Sequence, residues 1–225
     1  MRMRTILRPL AHRILPPITR WYLRKTRTSR YDGITCKVPP GVFHPGLYFS
    51  TRFMLKHMEK YSLEGKDLLE IGAGSGMISL WCAQKGASVT ATDISETAVT
   101  TIRENAALND LELKARHSDL FAGLAPHPYD FILINPPYYP GTPKSEAEHA
   151  WYCGPEFEYF QRLFDGLHAF RKPQSEVLMV LSEDCNIERI REIAARHAWK
   201  LEVIATQQRW GEWNFIYAMR YQKVG

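Results

Sequence analysis

The run FILINPPYYP (131–140) ends an apolar stretch on Asn135, then places two prolines and two tyrosines after it. Proline cannot donate to a sheet ladder, so a strand here stops at Asn135. A polar amide at the mouth of a buried strand, with Tyr138 and Tyr139 beyond it, suits a flat ligand. A second such place is EIGAGSGM (70–77), where Gly72, Gly74 and Gly76 let the backbone turn sharply beside a helix N-terminus. The spacing is not that of a dinucleotide fingerprint, because Met77 stands where the third glycine would be. Glu70 just before the glycines can neutralise a cationic amino group and would repel a phosphate. Asp93, 19 residues beyond Gly74, is spaced to accept both hydroxyl protons of a ribose. Asp119, in SDLF, can accept from an adenine amino group. Each has an ordinary alternative: Asp93 as a helix cap, Asp119 as a turn residue, NPPY as a strand-ending turn.

These groups need a scaffold, and the pattern around them supplies one. DLLEI (67–71), SVTATD (88–93), LKARHSD (113–119), YDFILIN (129–135) and EVLMVLS (176–182) read as strands. MISLWCAQK (77–85) and the segments from Ser95 to about Leu108, Glu156 to Phe170 and Asn186 to His197 read as helices. Strands alternating with helices give an α/β domain with a mainly parallel sheet. LEVIATQ and NFIYAMRYQ close the chain, joined around Trp210-Gly211 by too short a link for a crossover, so the last strand is expected antiparallel. Glu70, Asp93 and Asp119 all fall at strand C-termini, where open α/β sheets bind ligands. Upstream, Pro and Gly mark loops up to Gly46, and Ser50 or Thr51 is expected to cap a helix reaching about Tyr61. Trp210 and Trp213 are expected in the core or against the substrate pocket.

The 225 residues suit one domain with an appended arm, and 45% apolar residues support a real core. Four scattered cysteines, without a CxxC pair or neighbouring histidines, argue against a metal site and a disulfide framework, as in a reduced, cytoplasmic protein. Apolar runs are too short for a membrane span. Of the formal net charge of +5, residues 1–30 supply nine Lys or Arg and no acid, which leaves −4 on the remainder. The chain therefore reads as a mildly acidic body with a basic arm.

An amino-acid end, a ribose and an adenine, with no phosphate, describe S-adenosylmethionine. Through EIGAGSG, Asp93, SDLF, NPPYY and the upstream VFHPGLYFSTRFML, in that family's order over about residues 38–182, the chain resembles class I methyltransferases of the small-domain type. It is similar to the release-factor glutamine methyltransferases (the HemK family) and to amino-group methyltransferases of adenine and guanine. The resemblance implies a Rossmann-like, mostly parallel seven-stranded sheet with helices on both faces and an antiparallel last strand. It implies a methyltransferase domain over 41–225 behind a basic arm or lid over 1–40. It also implies a cofactor set of Glu70, Gly72, Ala73, Gly74, Gly76, Asp93, Ile94, Asp119, Leu120, Asn135 and Thr51. Asn135, Pro136 and Tyr138 are the implied catalytic group, and Phe43, Pro137, Tyr138 and Tyr139 the implied substrate contacts. Pro45 falls in the same covering segment as Phe43.

The substrate expected first is a nucleic-acid base, RNA before DNA. The arm would hold phosphates, and Trp21, Tyr22 and Tyr31 would stack on bases. Alternatives are a protein glutamine, a small molecule with the arm as a lid or a contact to anionic lipid, and a non-catalytic cofactor-binding module.

Overall fold

The computed structural model describes residues 24–47, 49–209 and 211–222. Residues 1–23 lie outside, so the stacking role expected for Trp21 and Tyr22, and any lipid contact of the arm, fall on undescribed residues. In chain order the elements are β1 (Arg27–Tyr31), β2 (Ile34–Val38), α1 (Phe49–Met58), β3 (Asp67–Ile71), α2 (Met77–Gln84), β4 (Ser88–Asp93) and α3 (Glu96–Leu108). They continue with β5 (Lys114–His117), β6 (Tyr129–Ile134), α4 (Glu158–Gly166), β7 (Arg171–Ser182), α5 (Ile187–Arg196), β8 (Trp199–Arg209) and β9 (Glu212–Tyr221).

Seven strands form one sheet in the order β5-β4-β3-β6-β7-β9-β8. β3 to β7 pair in parallel, and β9 runs antiparallel to both β7 and β8, as the short final link requires. The interior strands are buried on both faces, so their apolar residues alternate between two cores. Leu68, Leu133, Leu178, Val180 and Ile216 face α1, α2 and the β1–β2 hairpin. Leu69, Ile132, Ile134, Met179, Leu181 and Tyr217 face α4 and α5. α2 is apolar nearly all round, with Met77 to Cys82 buried in succession, because it is sandwiched rather than solvent-facing.

The hairpin is the main departure from the pattern reading. Residues 27–38, expected within the arm, are strands whose Ile34, Cys36 and Val38 belong to the body's core. Its attachment uses side-chain amides in place of a third strand. Asn109 Oδ1 accepts the Thr35 N–H at 2.8 Å and its Nδ2 donates to the Thr35 carbonyl at 2.8 Å. Asn105 repeats the exchange with Lys37, at 2.8 and 3.0 Å. Tyr31, expected to stack on bases, packs against this core and donates its hydroxyl to Glu59 at 2.8 Å. α1 begins at Phe49, so Ser50 and Thr51 lie in its first turn rather than capping it. Ser95 and Asn186 do cap their helices, accepting from the N–H groups of Ala98 and Arg189.

Candidate active site

A cavity of about 270 Å³ opens at the C-terminal ends of β3 to β6, where neighbouring crossovers leave the sheet in opposite directions. A recess of about 20 Å³ adjoins it, and Phe43, Gly72 and Asn135 line both.

The cavity floor is the glycine turn, and backbone geometry fixes it. The N–H groups of Gly72 and Ala73 both donate to the Thr92 carbonyl at 2.9 Å, tying the end of β3 to β4. Asn105 Nδ2 reaches the Ser75 carbonyl at 3.0 Å, so the amide that holds the hairpin also holds this loop. Gly74 has φ +55°, and a Cβ there would meet Phe43 at 3.4 Å. Gly76, at φ +80°, faces Ile102 at 3.1 Å and lines neither chamber: its absent side chain lets α3 approach. Ala73 borders the recess, not the main cavity.

Glu70 lies in the recess with Thr51, Ala73 and Pro45. It is buried, and its carboxyl group accepts a hydrogen bond from the Ser79 hydroxyl. Burial dominates that hydrogen bond and pushes its pKa up to about 8, with Asp93 adding a smaller push. In the free protein the carboxyl therefore holds its proton at neutral pH. A cation entering the recess would find a group able to ionise against it.

Asp93 ends β4 at the cavity wall. One oxygen accepts the Gly74 N–H at 2.8 Å and the other the Ser95 N–H at 2.9 Å, which aims the carboxylate and leaves each oxygen a further lone pair. Burial raises its pKa against those bonds. So Asp93 is both the helix-side anchor and a cavity acceptor. Ile94 and Leu120 give apolar wall, and Leu120 takes φ +54° in a turn where the Ser118 hydroxyl reaches the carbonyls of Leu120 at 2.9 Å and Ala122 at 2.8 Å. Asp119 faces the cavity and pairs with Arg162 at 2.8 Å.

β6 ends at Ile134, and Asn135, Pro136, Pro137 and Tyr138 line the cavity directly after it. The Tyr138 ring packs 4.8 Å from that of Tyr139, and burial raises the pKa of its hydroxyl. Tyr139 itself does not line the cavity; its backbone pairs with the returning chain. Its N–H donates to the Trp151 carbonyl and its carbonyl accepts from Cys153 N–H, both at 2.9 Å.

That return builds a roof the residue pattern did not reveal. Trp151 meets Phe43 with ring centroids 5.7 Å apart, so two segments a hundred residues apart close over one cavity. His149, Tyr152, Cys153, Glu158, Tyr159 and Arg162 also line it. Trp213 is exposed and lines neither chamber, and Trp210 is outside the described residues.

The site thus offers a buried acid for a cation, two acids and apolar wall for an adenosine-like group, and no cluster of three or more metal-ligating side chains among the described residues. The Methyltransferase small domain family matches residues 33–152, more than half the chain. The chain belongs to that family. A candidate protein N5-glutamine methyltransferase of Methanocaldococcus jannaschii is 40% identical over 136 residues, covering 60% of this chain and 62% of that protein. The chain thus spans less than two thirds of that curated relative. Two solved structures share the fold. The T. thermophilus 16S rRNA N2 G1207 methyltransferase, in complex with AdoMet and guanosine, has TM-score 0.62 at 20% identity over 86% of this chain and 50% of that one. The E. cuniculi Mtq2–Trm112 complex, which methylates the termination factor eRF1, has TM-score 0.62 at 18% identity over 81% and 99%. The donor set described above fits S-adenosylmethionine, the ligand held by the T. thermophilus enzyme.

Proposed function

We propose that this chain is an S-adenosylmethionine-dependent N-methyltransferase acting on a planar amide or amino nitrogen, with a protein glutamine side chain as first substrate class. The observation that carries the reading is the position of Asn135. It stands at the junction of the two chambers, with the buried acid of Glu70 on one side and Tyr138 on the other. Bound there, the cofactor would supply a methyl group made electrophilic by a sulfonium.

The protein's own part is to make a poor nucleophile adequate. An amide or aryl NH₂ has a delocalised lone pair. The Asn135 side-chain carbonyl and the Pro136 backbone carbonyl can each accept one of its protons, favouring the pyramidal nitrogen and fixing its direction. Two successive prolines stiffen the loop and leave the Pro136 carbonyl outside the β6 ladder. The Tyr138 ring gives the planar group a face. Glu70 would hold the cofactor's ammonium, Asp93 its ribose and Asp119 its adenine.

The glutamine assignment draws on the curated relative named above, which shares 40% identity with this chain. A nucleic-acid base is the second reading. It is favoured by the nine basic residues in 1–30 and by the likeness in fold to a guanine-specific rRNA enzyme. Those residues would then act as an electrostatic arm, and their deletion would remove salt-sensitive binding.

Methyl transfer from radiolabelled S-adenosylmethionine into cell extract, fractionated into protein, RNA, DNA and small molecules, tests this. Label in protein that is lost with Asn135→Ala supports the amide reading. Label confined to nucleic acid moves the assignment to a base. Asn135→Ala labelling as well as wild type would overturn the role given to the junction.

A further inference from the structure

Tyr159 lies on α4 and lines the same cavity as Asp93 and Asp119, and nothing in the catalytic reading uses it. Its backbone N–H donates to the Cys153 carbonyl at 3.0 Å, which seats the residue at the start of the helix. Its ring packs edge-on against Phe160, 5.4 Å between centroids, in the core formed by α4, α5 and the sheet. Its hydroxyl is a different matter. The oxygen is buried and has no hydrogen-bond partner in the protein, although Tyr159 lines the cavity and both Asp93 and Asp119 act on it electrostatically. A buried, unsatisfied hydroxyl costs stability, and a phenylalanine would fill the same packing site without that cost. Tyrosine hydroxyls that are buried usually find a partner. The missing partner is therefore to be sought in what occupies the cavity.

We infer that the Tyr159 hydroxyl donates a hydrogen bond to the adenosine unit of the cofactor, in the cavity it shares with Asp93 and Asp119, and so acts as a cofactor-contact residue. This rests on the cofactor reading above and extends it to a residue outside the expected cofactor set. The logic is chemical. Asp93 and Asp119 can only accept when ionised, so they address the hydroxyl and amino donors of adenosine. Its ring nitrogens and oxygens are acceptors, and they need a donor. Tyr159 supplies an O–H among the cavity-lining groups, and burial, with a smaller contribution from Asp93 and Asp119, keeps the phenol protonated.

Tyr159→Phe tests the idea because its two effects have opposite signs. Binding of S-adenosylhomocysteine to full-length wild type and variant would be measured by calorimetry, with thermal melting of each free protein alongside. The expected result is a Kd weakened about 3- to 10-fold, the usual worth of one hydrogen bond. The free variant should melt no lower than wild type, because the orphaned hydroxyl is gone. The cofactor KM should rise by the same factor. Equal affinities would overturn the proposal and leave the cofactor reading standing. A variant that melts lower with unchanged affinity would mean that the hydroxyl serves packing or a structural water, and would overturn it too. No binding by wild type would overturn the cofactor reading and the proposal with it. A variant that fails to fold would itself contradict the unsatisfied state of the hydroxyl.

Discussion

The floor and the roof of the cavity are built by different physics. On the floor, main-chain groups do the work: Gly72, Ala73 and Gly74 donate to the Thr92 carbonyl and the Asp93 carboxylate, and Asn105 locks the Ser75 carbonyl from α3. These bonds tie the glycine turn to two sheet strands and a helix, so its geometry is set before any ligand arrives. In the roof, the segment around Phe43 meets the segment 139–154 through the Phe43–Trp151 ring contact, and 139–154 is held to itself by an isolated bridge between Tyr139 and Tyr152. Side-chain contacts between loops can change from one protein to another without disturbing the sheet. If the proposed function holds, the contrast puts most of cofactor recognition on the floor and substrate choice on Phe43 and segment 139–154, with Asn135 where the two meet.

The strongest way to break this division is at the junction. Asn135→Ala should lower turnover about 10²- to 10³-fold, as removal of a single oriented hydrogen-bonding group in a reacting site does. The Kd for S-adenosylhomocysteine should stay within about threefold, roughly 0.6 kcal/mol. Equilibrium binding beside single-turnover methyl transfer reads the two separately. If affinity collapses together with rate, Asn135 belongs to the floor and the division fails.

Glu70 sharpens the floor's half. Glu70→Gln removes the acid proposed for the cofactor's ammonium and should weaken S-adenosylhomocysteine binding about 100-fold, within the range for losing one partner of a buried charge pair. Its pH dependence has a definite sign. The free folded protein holds the Glu70 proton up to about pH 8, whereas the unfolded chain releases it near the ordinary carboxyl value of 4.5. The native state thus binds more protons between those values, and stability must fall as pH rises from about 5 to about 8, then level off. Melting of the free protein across that window should show the decline, and Glu70→Gln should flatten it. Cofactor binding at pH 7 should release a proton from Glu70, visible as a dependence of calorimetric enthalpy on the buffer's ionisation heat. Proton uptake instead would refute the ion pair.

How much of this could be read from sequence follows the same line. The floor was legible because each of its residues is positioned by its own neighbours: a strand, a turn and a helix start put Glu70, the glycines and Asp93 together, and prolines fix where Asn135 stands. The sheet was legible for the same reason, down to the antiparallel β9 demanded by a short link. Gly76 was misplaced because spacing shows where a glycine is needed, not whether ligand or Ile102 lies opposite. Tyr139 was misplaced because its partner is Trp151, and nothing local announces that the chain returns there. Trp151, Tyr159 and Arg162 reach the cavity only through that return. The hairpin was missed because its strands are completed by the amides of Asn105 and Asn109, which read in sequence as ordinary polar positions on a helix.

Those amides give a smaller test. Asn105 is buried, and its side chain serves Lys37 on β2 and Ser75 in the glycine turn at once. Asn105→Ala leaves those backbone groups unpaired and should cost about 2 kcal/mol of stability, measured by urea unfolding. Because the turn loses one of its anchors, cofactor affinity should fall as well, but less than in Glu70→Gln. A loss of stability with full affinity would show that the strand bonds alone fix the floor.

The smallest expected effect addresses the roof directly. Phe43 lines both chambers, and its ring meets Trp151 at 5.7 Å and a tilt of 50°. If the two rings close the cavity together, Phe43→Leu and Trp151→Leu should each raise substrate KM several-fold, and the double variant should be no worse than the poorer single one. A double-mutant cycle on kcat/KM would then give a coupling of about 0.5–1.5 kcal/mol, the range for an aromatic pair. Cofactor binding is the control, and the comparison stands or falls on it. Phe43 touches the recess as well as the cavity, so Phe43→Leu should weaken S-adenosylhomocysteine binding slightly, whereas Trp151→Leu should leave it unchanged. Equal losses of cofactor affinity in both variants would mean the roof grips the cofactor too, and substrate choice would have to reside deeper, at Tyr138 and the prolines before it.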